Sequence, residues 1–325
     1  MGDVGPFNPA ERPVRYTPSS LYWGPDHNDP CPCESTKRAG DCHVNRAKGN
    51  WKLPTYAPLL TDPKTGVSCA GCYASFTNDC SSKLSNEHWL SEGILLHVGQ
   101  SGRVLISGLR WQQGQQHALS AKSLGSNILC EHHNRALSRL DATAIAVFKT
   151  LDHYQIDFRT QPDPHGSEFD LYSGEELERW LLKLLWGGAA AGVLGRGGQP
   201  VNDLRTTADR NMLAEYLFRD GSLPRGWGLY VSAQTDVDLR TEADVAVATG
   251  SGPDGAIWQG VVAMGVVAFT FALGNLRAHS GFKAFYRPRG VCLDSRLDPA
   301  RKVLALGWNH NKSTSQPVTY TKRVN

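Results

Sequence analysis

Apolar residues are distributed in three different ways along this chain. Up to about residue 66 they are scattered among Pro, Gly, Asn and Asp without a period, so that stretch reads as loops held by something other than a large core. From residue 67 onwards periodic segments begin. "GILLHV" and "RVLISGLRW" flank the turn signal "GQSGR" and predict a hairpin. After Asn134 the spacing of Leu137, Leu140, Ala144, Val147 or Phe148, and Leu151 is helical, which predicts a helix of about five turns starting near residue 133. The polar stretch 158–172, centred on "TQPDPHGS", predicts a linker.

Beyond it, Ser173 and Glu176 form a capping-box pattern ahead of "LERWLLKLLW", in which Leu177, Leu181, Leu184 and Leu185 line one face. A second helix, "ADRNMLAEYLF", ends at Gly221. Strand-like runs follow: "WGLYVSA", "ADVAVA", a long apolar segment, "KAFYRP", "KVLALGW" and "PVTYTKRV". The pattern divides the chain into residues 1–66, 67–157 and 158–325. The overall class is α+β, the last part placing helices first and an antiparallel sheet after them.

The long apolar segment "AIWQGVVAMGVVAFTFAL" approaches the roughly 20 residues that a membrane helix needs. Gln259, its glycines, its β-branched residues and the lack of basic flanks predict two buried strands bent at Gly265 instead. The opening "MGDVGPFNPAERPVRY" has no apolar signal region, and Pro6 stands where a myristoylation motif needs Ser or Thr. A cytoplasmic protein without a membrane partner is expected.

Composition adds little to this until the cysteines are placed. With 325 residues, 40% of them hydrophobic and 20% charged, the chain is long enough for two or three globular domains. A net charge of +3 neither demands nor excludes nucleic acid, since binding depends on a local patch. Seven of the 8 cysteines lie in the first 130 residues, and in a reducing compartment that clustering points to metal. Cys292 lies alone among strands and reads as a buried apolar residue.

Two constellations emerge. In "CPCESTKRAGDCH", Cys31, Cys33, Cys42 and His43 have the number and type of ligands for one tetrahedral zinc. With its Asn-Asp-Pro lead-in, this stretch resembles the SEC-C motif, a zinc knuckle that serves as a binding module. Glu34, Ser35 and Thr36 depart from the Gly-Ser-Gly usual there. The second constellation is split. "CAGC" supplies Cys69 and Cys72, while "CEHH" supplies Cys130 with His132 or His133. The matching two-residue spacer selects His133, and two such pairs predict a treble-clef zinc site with one pair at a helix start. Cys80 is either a substitute for Cys72 or idle.

Between the pairs lies "SNEHWLSEGIL", with Asn127 three residues before Cys130 and Asn134 directly after His133. The order CxxC, Glu-His, Asn, CxxH-Asn resembles the zinc-bearing branch of the HNH endonucleases over roughly residues 67–150. That family carries its site on a ββα-metal finger. The resemblance implies His88 as the general base and Glu87 as a carboxylate ligand of a catalytic Mg2+ or Mn2+. It implies Asn127 as the group that orients His88, and Asn134 as the second ligand of the ion. Asp141 lies two helical turns beyond Asn134 and would assist or form a salt bridge. About 38 residues separate His88 from Asn127, which implies a hairpin insertion, and "HWLSEG" lacks the usual proline.

The expected function is therefore a metal-dependent HNH endonuclease that hydrolyses DNA, with RNA left open, loosely in restriction, phage defence or a mobile element. It would carry two structural Zn2+ and one catalytic ion. Arg103, Arg110, Lys122, Arg135 and Arg139 surround the finger in sequence and are candidates for phosphate contact. Trp180 and Trp186 read as core. The alternatives are a non-catalytic zinc module that binds nucleic acid or protein, and an adaptor that reaches a protein partner through the SEC-C-like knuckle or the C-terminal part.

Overall fold

The computed structural model describes residues 15–16, 28, 31, 36–42, 44–45, 50–51, 57–99, 103–107, 109, 112, 115, 117–160, 167–196, 199–200, 207–234, 245–251, 256–276, 282–295, 301–308 and 318–322. It is a mixed α+β structure with four helices among those residues. Strand β1 (Leu84–His88) leads through helix α1 (Glu92–Val98) to strands β2 (Arg103–Ser107) and β3 (His117–Ser120). Strand β4 (Gly125–Cys130) then returns antiparallel to β1 and runs directly into helix α2 (Glu131–Thr160).

"GILLHV" is thus a helix, where the sequence pattern predicts a strand. Ile94, Leu95 and Val98 fall at i, i+1 and i+4, a spacing that fits one helical face, and Leu96 is left exposed. The helix sits so close to α2 that a Cβ on Gly93 would meet Ile145 Cδ1 at 2.4 Å. Helix α2 has 30 residues, well beyond five turns. Its buried row continues past Leu151 to Tyr154 and Phe158, aromatic positions separated by polar residues.

Most of the stretch expected as a linker is structured: strand β5 (Ser167–Ser173) passes straight into helix α3 (Gly174–Ala190). The cap is the expected one, with Glu176 N donating to Ser173 Oγ at 3.2 Å. Helix α3 is not amphipathic in the expected way, because every residue from Leu177 to Ala189 is buried. A helix covered on all sides is a central element of a core.

Helix α4 (Thr207–Phe218) is followed by β6 (Gly228–Gln234), β7 (Val245–Ser251), β8 (Ile257–Met264), β9 (Val267–Ala272), β10 (Phe282–Tyr286), β11 (Gly290–Ser295), β12 (Arg301–Gly307) and β13 (Val318–Lys322). One sheet has the order β10-β6-β9-β8-β7-β2-β3. A second contains β5-β12-β11-β13. Neither is wholly antiparallel, since β7 pairs with β2, β12 with β5, and β11 with β13 in parallel.

The β8–β9 hairpin is the long apolar segment, and no helix among the described residues is long and apolar enough to cross a membrane. Its turn needs glycine twice over. Gly265 has φ +55°, and a Cβ there would lie 1.9 Å from Gln155 Oε1, which accepts from Val266 N at 3.0 Å. The β2–β3 hairpin, inserted between β1 and β4, joins the sheet built by the C-terminal half. One hydrophobic cluster accordingly runs from Cys69 to Tyr320, across the boundary expected at residue 157.

Candidate functional site

The start of α2 carries part of a Cys/His cluster that could hold a metal ion. Cys130 ends β4 and His133 lies on the first turn of the helix, so the two-residue spacer brings both side chains to one point. The preceding segment contributes two thiols. Cys72 N donates to Cys69 O at 3.1 Å in a tight turn. The chain then reverses at Asn78, a left-handed residue with φ 53°, and returns Cys80 to the same point.

Cys72, Cys80, Cys130 and His133 present one ligand atom each, all within 4.8 Å of one another and all on buried residues. The three sulfurs lie 3.6, 3.8 and 3.2 Å from His133 Nδ1, taken in that order. A tetrahedral zinc with ordinary Zn–S and Zn–N bonds separates S from N by about 3.6 Å, so the cluster could hold a metal ion and its chemistry suits zinc. Cys69 lies outside it and directs its thiol at Ala70 O, 3.7 Å away. The sequence spacing favours Cys69; the reversal at Asn78 is what puts Cys80 there instead.

Electrostatics around the cluster favour the ligand form at His133 and Cys130 and oppose it at Cys72 and Cys80. Burial lowers the His133 pKa to about 4, which keeps the imidazole neutral. Burial also works against the Cys130 thiolate, but backbone hydrogen bonds from His133 and Ser81 hold this thiol below its usual value. Burial pushes the Cys72 and Cys80 thiols up, a cost that a bound cation would offset. The Phe218 ring packs 4.5 Å from His133, closing the site. His132 turns away, its Nε2 lying 3.6 Å from Asp79 Oδ1. Asp79 also holds Arg219 at 2.5 Å.

Of the SEC-C-like ligands, Cys33 and His43 lie outside the described residues. Cys31 is buried and Cys42 half-buried; Cys31 N donates to Lys37 O at 2.9 Å and Cys42 N to Ala39 O at 3.2 Å.

The Glu-His pair lies at the other end of β1, with Glu87 opposite Ser126 and His88 opposite Gly125. Glu87 is buried and ion-paired with Lys183 of α3, Nζ to Oε1 2.5 Å. Lys183 Nζ also donates to Asp141 Oδ1 at 2.9 Å and to the carbonyl of His88 at 2.8 Å. Asp141 accepts from Ser91 Oγ, which in turn accepts from Trp180 Nε1 at 2.7 Å. Burial opposes the Lys183 charge, yet Asp141 and Glu87 outweigh it and hold its pKa above the ordinary lysine value.

The remaining expected residues are placed differently. Asn134 Nδ2 donates to Ser85 Oγ at 3.0 Å. Asn127 is exposed, at a bulge where two residues of β4 oppose one of β1. The imidazole of His88 is half-buried, with Nε2 enclosed and without a hydrogen-bond partner among the described residues.

A divalent ion on Glu87 and Asn134 does not fit this arrangement. The cation already beside Glu87 is an ammonium, and the Asn134 amide is turned to a serine hydroxyl. Sequence reading missed Lys183 and Ser91 as parts of the site, and offered Cys80 only as a substitute for Cys72 or idle, whereas it joins Cys72 in place of Cys69. The one available signal for Lys183 was a lone basic residue between leucines in "WLLKLLW".

Of the basic residues singled out, Lys122 and Arg135 are exposed. Lys122 lies in the turn that leads into Gly125, the partner of His88. Arg139 is paired with Glu176, Nε to Oε1 2.6 Å, and Arg103 donates to Ala118 O at 3.1 Å. Arg110 lies outside the described residues. No family model matches the chain, and no curated protein or solved structure matches it significantly.

Proposed function

We propose that the chain is an HNH-type endonuclease, a phosphodiester hydrolase acting on DNA, in which a zinc-stapled ββα unit presents His88 as the general base. The observation that carries this reading is the order of parts along one antiparallel pair. The Cys/His cluster closes one end of β1, β4 and α2, and the Glu-His pair occupies the other. That is the layout the treble-clef, HNH-like motif order calls for.

His88 adds chemical support. Buried polar atoms are nearly always paired, and one left unpaired within the protein is a candidate to receive its partner from outside, as a base receives a proton. Zinc on Cys72, Cys80, Cys130 and His133 would fix the start of α2 and supply no reactive group. The protein's own residues would do the rest. Lys183 holds the end of β1 through the His88 carbonyl. His88 Nε2 would take the proton of the attacking water as its oxygen bonds to phosphorus, the bond to the leaving oxygen breaks and that oxygen is protonated from solvent. Exposed Lys122 and Arg135 offer charge to phosphates.

A second reading has one specific observation in its favour. The Lys183 ammonium is ion-paired with Glu87 and donates to Asp141 and the His88 carbonyl, which is how a purely structural ion cluster would look. On that reading the unit is a non-catalytic zinc scaffold. A supercoiled-plasmid nicking assay on the zinc-loaded protein separates the two. The nuclease reading expects relaxed circles from the wild type and from Cys292→Ala, and a loss of at least about 100-fold in His88→Ala, the usual size of a general-base contribution. Intact supercoiled plasmid with fully zinc-loaded wild type supports the scaffold.

A further inference from the structure

Two carboxylates that converge on one point are the kind of site a hard divalent cation takes. Here Glu87 Oε1 and Asp141 Oδ1 converge on the nitrogen of Lys183, at 2.5 and 2.9 Å, and the His88 carbonyl completes the set at 2.8 Å. The three oxygens come from the end of β1 and from α2, and the nitrogen comes from α3. The ammonium therefore ties three elements together.

Its surroundings leave it nowhere else to go. The Lys183 side chain is 1% exposed, its neighbours Leu182 and Leu184 are buried, and α3 is covered on all sides. Displacing the ammonium would strand it unpaired in the core, whereas a surface lysine displaced from a metal site simply returns to water. Ser91 Oγ and Trp180 Nε1 further fix Asp141 in place.

We propose that Lys183 is the built-in cation of the Glu87–Asp141 site and shuts divalent metal ions out of it. Whatever this site does, it does without Mg2+ or Mn2+ on Glu87. Lys183 acts as a positioning residue, holding the strand end from which His88 projects. The claim does not depend on the nuclease reading, since it concerns which cation the two carboxylates hold.

Titration of the zinc-loaded full-length protein with Mn2+, followed by the electron paramagnetic resonance signal of free aqueous Mn2+, tests it. The wild type is expected to leave millimolar Mn2+ free. Lys183→Met keeps the length of the side chain without its charge. This variant is expected to bind Mn2+ roughly tenfold or more tightly than the wild type, and to lose that binding when Asp141→Asn is added. Zinc content and near-ultraviolet circular dichroism report whether Lys183→Met is folded. A folded Lys183→Met that ignores Mn2+, or a wild type whose Mn2+ binding disappears in Glu87→Gln, overturns the proposal. Should Lys183→Met not fold, thermal unfolding of the wild type decides. No rise in melting temperature with Mn2+ supports the claim, and a rise abolished by Asp141→Asn refutes it. No nucleic acid enters any of these measurements, so a failure of the nicking assay and a failure here are separate results.

Discussion

Helix α2 carries two lysine-centred ion clusters, and a histidine distinguishes them. Near its start, Asp141 shares Lys183 with Glu87. Near its end, Asp157 shares Lys302 of β12 with Glu168 of β5, at 2.9 Å for Asp157 and in direct contact for Glu168. Both lysine side chains are 1% exposed. In the second cluster His153 completes the arrangement, its Nε2 lying 3.1 Å from Glu168 and 3.8 Å from Asp157. In the first, His88 gives its backbone carbonyl, and its Nε2 is enclosed without a hydrogen-bond partner among the described residues.

The pairing teaches that a buried lysine between carboxylates is here a general way of packing a long helix against lysine-bearing core elements. It is no sign of chemistry by itself. His153, Asp157 and Glu168 lie as close together as metal ligands would, yet Lys302 already contacts both carboxylates. What sets the first cluster apart is that no ion pair of its histidine imidazole with its carboxylates is found among the described residues, and the proposed function rests on His88 and not on the lysine-held carboxylates.

The largest change to this comparison should come from Lys302→Met. It leaves Asp157 and Glu168 buried against each other, and breaking a buried ion cluster in this way costs about 3–5 kcal/mol. Denaturant unfolding at neutral pH measures it. The penalty should shrink as pH falls, because protonation removes the carboxylate repulsion. A loss below about 1 kcal/mol would mean that the second cluster is not the structural ion core described here.

A smaller effect sharpens the role of the histidine. The hydrogen bond to Glu168 raises the pKa of His153 above its ordinary value against the opposing effect of burial. A group with a raised folded-state pKa contributes stability that is fully present below the unfolded value, about 6.5, and is lost as pH rises through the folded value. Wild type should therefore exceed His153→Gln in stability in mild acid, and the gap should close in mild alkali. Because the side chain is nearly half exposed, at 47%, the gap should stay under about 1 kcal/mol. A gap that is unchanged across that range would show that the imidazole works by packing and not by charge.

Much of the architecture was legible because it depends on local pattern. The Ser173 cap, the β8–β9 hairpin and the helix start after Cys130 all follow from residues within a few positions of one another. His133 over His132 was legible for the same reason, through spacing. Cys80 was not, because its arrival depends on the left-handed turn at Asn78 and not on its distance from Cys72. The helical fate of "GILLHV" was obscured by its short length, at which an apolar run fits strand and helix equally.

Lys183 was the least visible of all. A lysine in an apolar helix is readable as snorkelling to solvent, and only the packing of α3 against α2 and β1 reveals that it ends on two carboxylates. The same packing displaced the expected ion from Glu87 and turned Asn134 to Ser85. Tertiary contacts over long sequence separations set the electrostatics of the site, and local spacing does not report them.

The Cys/His cluster at the start of α2 could hold a metal ion, and cobalt substitution tests most directly whether it does. Co2+ held by three thiolates and one imidazole gives intense tetrahedral d–d bands and a sulfur-to-metal charge-transfer band in the near ultraviolet. The account predicts this spectrum in the wild type and in Cys69→Ser, with a weakened or absent spectrum in Cys80→Ser, read in full-length protein carrying Cys31→Ser, Cys33→Ser and Cys42→Ser to silence the N-terminal thiols. A spectrum that survives Cys80→Ser and disappears in Cys69→Ser would contradict it.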